Sequence, residues 1–390
     1  MPKYKAFTGA FLTQFIVIGL MFAFGVLFKE FETQFGWSRT PLSSCTALGF
    51  FVIGVLAFFA GRLSDTYGPR SVLAFTGIAY GIGYILLSQV TQPWQILFIF
   101  AIFVGLGMGT HDVVTLSTVA RWFESASGVM TGLAKVGTAF GQMAIPPLAA
   151  FLVIQYGLQI ALVILGIAAG VILLFAALLM SHPPKTELTE NIQTHTAVEG
   201  GEARKTLTFR KLCIIQFLFF PTLMTIPTHI VVHGIDLGMS FAQSAYLLTT
   251  IGGASVAGRL AVGVFLDLMG SRNAYVLCFI PILVCLTALL SVTNHTVLFL
   301  MMALYGFGHG GLFAVVSPSV AGYFGTKEHG ALYGTILFCG TISGALGPIV
   351  TGYAFDRMGS YSLPFGGLAA FTALGFLLVL TLPKWKSHVI

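Results

Sequence analysis

The chain has 390 residues, of which 56% are hydrophobic and only 8% charged, whereas soluble domains carry about 25% charged residues. That balance excludes a water-soluble globule and implies an integral membrane protein. The formal charge of +6 does not imply nucleic-acid binding, because the basic residues do not cluster in one segment as such a surface requires.

A membrane-spanning helix needs about 20 apolar residues, and the apolar runs, separated by polar or Gly/Pro-rich breaks, predict twelve. They fall at about 7–30, 43–64, 71–90, 95–121, 127–155 and 158–180, then 210–236, 240–267, 272–292, 296–323, 330–355 and 362–383. The short alternating strands of a membrane barrel are not the pattern seen. The first run follows Lys3 and Lys5 and is too long for the core of a cleaved leader, so it is expected to stay as the first spanning helix. Fourteen lysines and arginines then fall on the side of the N-terminus, against Lys29, Arg39 and Arg357 on the other. By the positive-inside rule both termini are expected in the cytoplasm. Cys45, Cys213, Cys278, Cys285 and Cys339 show no metal-ligand or redox spacing, and no metal or other cofactor is expected.

Between the sixth and seventh runs lies a polar stretch, 182–208, that mixes acids and bases without periodicity. It reads as a cytoplasmic, partly disordered connector. The expected organisation is a six-helix half at 1–181, the linker at 182–208 and a second half at 209–390. A duplication supports it: Gly61, Asp65, Gly68 and Arg70 recur as Gly263, Asp267, Gly270 and Arg272, each 202 residues later. The same offset relates Gly36 to Gly238, Ser38 to Ser240, Gly128 to Gly330, Gly132 to Gly334 and Pro146 to Pro348. Parallel six-helix repeats are one transporter architecture, with the site near the bilayer midplane.

The stretch Gly61-Arg62-Leu63-Ser64-Asp65-Thr66-Tyr67-Gly68-Pro69-Arg70 resembles the loop 2–3 motif of the major facilitator superfamily. Three further pieces are Phe35-Gly36-Trp37-Ser38-Arg39, Gly258-Arg259, and Ala345-Leu346-Gly347-Pro348 with Phe355-Asp356-Arg357-Met358-Gly359-Ser360-Tyr361. Together they are similar to the bacterial monocarboxylate transporter and oxalate:formate antiporter branch, over the whole chain except the linker. The resemblance implies the all-α twelve-helix fold in two pseudo-symmetric halves, a bacterial inner membrane, and a helix 8 arginine, here Arg259, that binds the substrate carboxylate. Two departures stand out. Ser255 occupies the position where animal relatives carry a proton-coupling aspartate, and Leu332 to Val350 holds no lysine or arginine such as the oxalate antiporter has in helix 11.

Arg259 also stands out on physical grounds. A guanidinium stays protonated and costs roughly 2.5–3.5 kcal/mol at mid-bilayer on insertion scales, so it faces a cavity or a partner and not lipid. Its planar fork matches a carboxylate through two parallel hydrogen bonds. Asp112 and Lys135 lie about 15 and 12 Å from the inner ends of their helices, a similar depth. They read either as a structural ion pair or as a cavity pair in which Lys135 is a second substrate cation and Asp112 or His111 titrates. His229, His233 and Asp236, toward the outer end of helix 7, read either as a proton relay headed by His229 or as a capped end with water-exposed histidines. Tyr305 and His309 are candidate substrate-contacting groups, while the glycines of Gly105-Leu106-Gly107-Met108-Gly109 and Gly306-Phe307-Gly308-His309-Gly310-Gly311 suit close helix packing. Asp65 with Arg70, and Asp267 with Arg272, are expected to act in the conformational switch, or alternatively to staple their loops.

No Gly-x-x-x-x-Gly-Lys-Ser/Thr loop is present for an ATP-driven pump, and no Gly-x-Ser-x-Gly elbow for a hydrolase, so no enzyme is expected. The reading is a monomeric secondary transporter of small monocarboxylates, lactate- or pyruvate-like, coupled to a proton. The alternatives are an oxalate:formate-like anion exchanger and a non-transporting carboxylate sensor.

Overall fold

The computed structural model describes residues 2–123, 127–181, 200–324 and 329–384, and among them there is no strand. The spanning helices are α1 (Pro2–Phe35), α2 (Arg39–Tyr67), α3 (Pro69–Leu87) and α4. Helix α4 runs from Pro93–Ile99 through a π turn at Phe100–Val104 into Gly105–Trp122. The continuous run Ser127–Leu179 breaks at Gly157 (φ 79°, ψ 167°) into α5 (127–156) and α6 (158–179). After a short helix at Gly200–Lys205 come α7 (Leu207–Asp236) and the run Phe241–Ala288, which breaks at Gly270 (φ 78°, ψ 168°) into α8 (241–269) and α9 (271–288). Helices α10 (His295–Phe324), α11 (His329–Met358) and α12 (Ser362–Val379) complete the set. All twelve predicted helices are found among the described residues. The rest of the expected linker, 182–199, lies outside them.

Several helices overrun their apolar cores. Helix α1 has 34 residues, about 51 Å at 1.5 Å each, against a hydrocarbon thickness of about 30 Å. Its surplus carries Lys3 and Lys5 at one end and Lys29, Glu30 and Glu32 at the other. Helical hydrogen bonding continues across the lipid–water boundary because it satisfies the backbone wherever water is scarce.

The duplication is visible in the backbone. Among the described residues, six glycines have positive φ, Gly36, Gly68, Gly157, Gly238, Gly270 and Gly359, and they form three pairs 202 residues apart. Gly68 and Gly270 match closely, at φ 82°, ψ 151° and φ 78°, ψ 168°. A left-handed φ at a helix junction is a glycine's place, so both copies turn the chain by the same device.

The chain forms two compact units. The first comprises Met1–Pro184 with Ile226–Gly252 and Pro348–Gly359; the second comprises Lys185–Thr225, Gly253–Gly347 and Ser360–Ile390. In the first, α1 packs along α5 and α6, and α3 along α6. Tyr80 and Tyr84 of α3 donate their hydroxyls to the Val17 and Leu20 carbonyls of α1 at 2.9 and 2.8 Å. Each such bond contributes about 0.5–1.5 kcal/mol net. In the second unit, Tyr305 of α10 likewise donates to the Thr222 carbonyl of α7 at 3.0 Å.

Candidate functional site

In the first unit the polar centre lies on α1, α4 and α5. Gln14 is an amide in an otherwise apolar stretch of α1, and its Nε2 donates to Asp112 Oδ1 at 2.9 Å and to Thr115 Oγ1 at 3.0 Å. Asp112 Oδ2 in turn lies 3.1 Å from Lys135 Nζ. The ion pair anticipated from helix depth is therefore present, with Gln14 as a third member. The Lys135 and Asp112 side chains are 30% and 38% exposed, so the pair is only partly buried. His111, next in sequence, is buried and turns Nδ1 to the Met108 carbonyl one turn back. The π turn lies just before these residues; such a turn adds a residue and re-aims the side chains beyond it.

In the second unit Arg259 stands on α8, half-buried, with Nη1 wholly inaccessible. The wall around it is set by backbone contact between α8 and α10. A Cβ on Gly258 would fall 1.9 Å from the Phe307 carbonyl oxygen, and one on Gly310 would fall 2.1 Å from that of Ser255. Only glycine permits that approach, as expected for the glycine-rich stretch of α10. His309, buried, lies in the field of the Arg259 guanidinium and packs between Tyr305 and Phe313, at ring distances of 5.4 and 5.0 Å. The Tyr305 hydroxyl is committed to Thr222. Apart from Asp267 at the end of α8, neither α8 nor α10 contains an aspartate or glutamate.

The third cluster belongs to the first unit, at the helix ends on the distal face, the one opposite the termini. His229 and His233 are 0% and 9% exposed, so they are not the water-exposed pair that one reading anticipated. His229 Nε2 lies 3.2 Å from Ser43 Oγ of α2 and 3.1 Å from the Pro348 carbonyl of α11, and its ring packs edge-on against Phe28 of α1. Beyond it stands Arg39, whose side chain is 4% exposed. Its fork grips Asp236 at 2.7 and 2.9 Å, and its Nε donates to Glu32 at 2.8 Å. Arg39, Glu32, Asp356 and Gln14 do not stand out as functional from sequence alone. A signal exists for two of them, since Arg39 and Asp356 sit in two of the motifs that carry the family resemblance.

Of the expected switch residues, Arg70 is exposed and donates to the Leu178 carbonyl at 3.0 Å. Arg272 stands just past the Gly270 break, in the equivalent place. The Asp65 and Asp267 side chains lie outside the described residues. No group of three metal-ligating side chains occurs among the described residues.

Twelve apolar helices with fixed charges at depth, duplicated about one backbone device, define a multi-pass membrane transporter. The family model described as Major Facilitator Superfamily matches residues 10–262 and 212–388, and the chain belongs to that superfamily. It is 28% identical to rat monocarboxylate transporter 13 over 390 residues, covering 97% of this chain and 89% of the rat protein. It is 24% identical to human monocarboxylate transporter 7, covering 93% and 83%. A solved D-xylose-proton symporter superposes with a TM-score of 0.78 at 12% identity, covering 100% of this chain and 99% of that one, a likeness of fold alone.

Proposed function

We propose that the protein carries small monocarboxylates, lactate- or pyruvate-like, across a bacterial inner membrane by alternating access, coupled to a proton. The observation that carries this is Arg259: a permanent cation with a planar fork, half-buried on α8 beside the α8–α10 glycine contacts and His309. A fork of this kind takes a carboxylate in two parallel bonds. The phenylalanine-rich helices suit a short anion with a methyl-sized tail. His309 and Tyr305 are proposed to shape the apolar side of the Arg259 pocket, and Lys135 to act as a second cation once Asp112 lets it go. The similarity to two monocarboxylate transporters supports the substrate class.

The six-helix halves, 1–181 and 209–390 joined by 182–208, are proposed as the repeated bodies of the cycle, supported by the glycine pairs. The loops carrying Asp65 with Arg70 and Asp267 with Arg272 are proposed as its proximal switches. Cytoplasmic termini are supported by the fourteen-to-three asymmetry of basic residues. The protein is proposed to work as a monomer in the lipid bilayer.

The test is uptake of labelled lactate, pyruvate, formate and oxalate into proteoliposomes, with and without a pH gradient. Gradient-driven uptake of lactate or pyruvate is expected. Exchange of oxalate for formate with no pH-gradient dependence would instead make the protein an anion exchanger. No uptake or exchange of any of the four would overturn the reading.

A further inference from the structure

Two sequence motifs far apart in the chain, at Phe35–Arg39 and Phe355–Tyr361, meet at the distal ends of the first unit. We propose that α1, α2, α7 and α11 form a latch there, with Arg39 as its hub, and that its release is the step that opens the distal face.

The chemistry starts from a helix end that cannot satisfy itself. The first backbone N–H groups of any helix have no intrahelical acceptor, and Ser38, the residue that would cap α2, makes no side-chain cap. Asp356 of α11 does so in its place. Its two oxygens accept the Arg39 and Thr40 backbone N–H groups, each at 2.8 Å, and the Thr40 hydroxyl as well. A carboxylate at a helix N-terminus also meets the positive end of the helix dipole. Thus α11 finishes α2 across space.

The Arg39 side chain ties in the other two helices, Asp236 from α7 and Glu32 from α1, while Lys29 holds the second Glu32 oxygen at 2.9 Å. The Phe355 ring of α11 lies 3.7 Å from the guanidinium carbon. Two cations, Lys29 and Arg39, face three carboxylates, Glu32, Asp236 and Asp356. A Cβ on Gly352 would fall 2.5 Å from Ser43 Oγ and 2.9 Å from the Arg39 carbonyl oxygen, so α11 lies directly on α2. One turn in, His229 spans Ser43 and Pro348.

The composition fits a closure that must reopen. Separating an apolar seam exposes surface with nothing to replace the lost contacts. A network of charges and helix-end donors is offered water when it parts, so closed and open forms lie near balance. The network is nonetheless cooperative, because parting α11 from α2 strips the cap and the ring stack together, and parting α7 removes the bidentate partner. A surface ion pair has none of these features.

The experiment needs no substrate, so its outcome is independent of the carboxylate reading. Ala47 is buried and lies one turn beyond Ser43 on the same side of α2. In the full-length Ala47→Cys protein in proteoliposomes, a membrane-impermeant cationic thiol reagent is added at the distal face and modification is read residue by residue by mass spectrometry. The buried native Cys278 and Cys285 serve as internal controls. Adding Asp356→Asn or Arg39→Gln is expected to raise the modification rate at position 47 at least about tenfold, by shifting the equilibrium toward the open form. Arg39→Lys, which keeps the charge and loses the fork, should fall between. Modification that stays at the parental rate in all three variants would overturn the latch. So would an equal rise at Cys278 and Cys285, which would mean general loosening.

Discussion

Arg39 and Arg259 are the same residue in two chemically opposite settings. Around Arg39 the first unit supplies Glu32 and Asp236 to the guanidinium and Asp356 to the backbone beside it. Around Arg259 the second unit supplies the Gly258–Phe307 and Gly310–Ser255 backbone contacts and the buried His309. An arginine enclosed by the protein's own acids holds helices together, whereas the half-buried Arg259 is proposed to take the carboxylate of a substrate. Charge count alone does not distinguish them; their immediate surroundings do.

That contrast is most easily broken at Arg259. Arg259→Ala is expected to lower carboxylate uptake by at least about 100-fold, some 2.7 kcal/mol of lost binding, measured as initial rates in proteoliposomes. Parental rates would end the assignment. The Asp112–Lys135 pair sharpens the contrast from the other side. Lys135→Ala or Asp112→Ala should each destabilise the protein, by less than the roughly 3–5 kcal/mol of a fully buried pair, because these side chains are 30% and 38% exposed. If Lys135 serves only to neutralise Asp112, the double variant recovers both thermal stability and uptake. A double variant that is stable yet no more active than the worse single change assigns one of the two a direct role in transport.

Gly258→Ala tests the wall that positions Arg259. With a Cβ 1.9 Å from the Phe307 carbonyl oxygen, the α8–α10 contact must shift, at about 1–3 kcal/mol, read as a lowered Tm of the purified protein. An unchanged Tm would mean that the seam is not tight. The smallest expected effect is at His229, whose charged and titratable neighbours are Arg39, His233 and Asp356. Because Ser255 cannot carry a proton, and imidazole ordinarily titrates near pH 6.5, His229→Gln is expected to weaken proton-driven accumulation while leaving substrate-for-substrate exchange intact. Accumulation equal to the parent would take His229 out of the proton route.

The sequence made the fold legible almost completely, since lipid admits few alternatives to helices for a span and the 202-residue offset marked the repeat. The ends were less legible. Helix α1 runs past its apolar core at both ends, into charged residues that hydropathy reads as loop. The Asp112–Lys135 pair could be found because helical rise alone sets depth. The latch could not, because Arg39 is 197 residues from Asp236 and 317 from Asp356, and no local period links them. His229 stands out in the sequence for its chemistry, but its burial does not, because burial at a helix end depends on which neighbours close over it.

The most direct measurement is a calorimetric titration of pyruvate into purified parent protein and into Arg259→Lys. Lysine keeps the charge but cannot offer two parallel bonds. The parent should bind saturably at one site, and the variant at least about tenfold more weakly, a difference near 1.4 kcal/mol. Equal dissociation constants in the two proteins would contradict the claim that the Arg259 fork holds the substrate carboxylate.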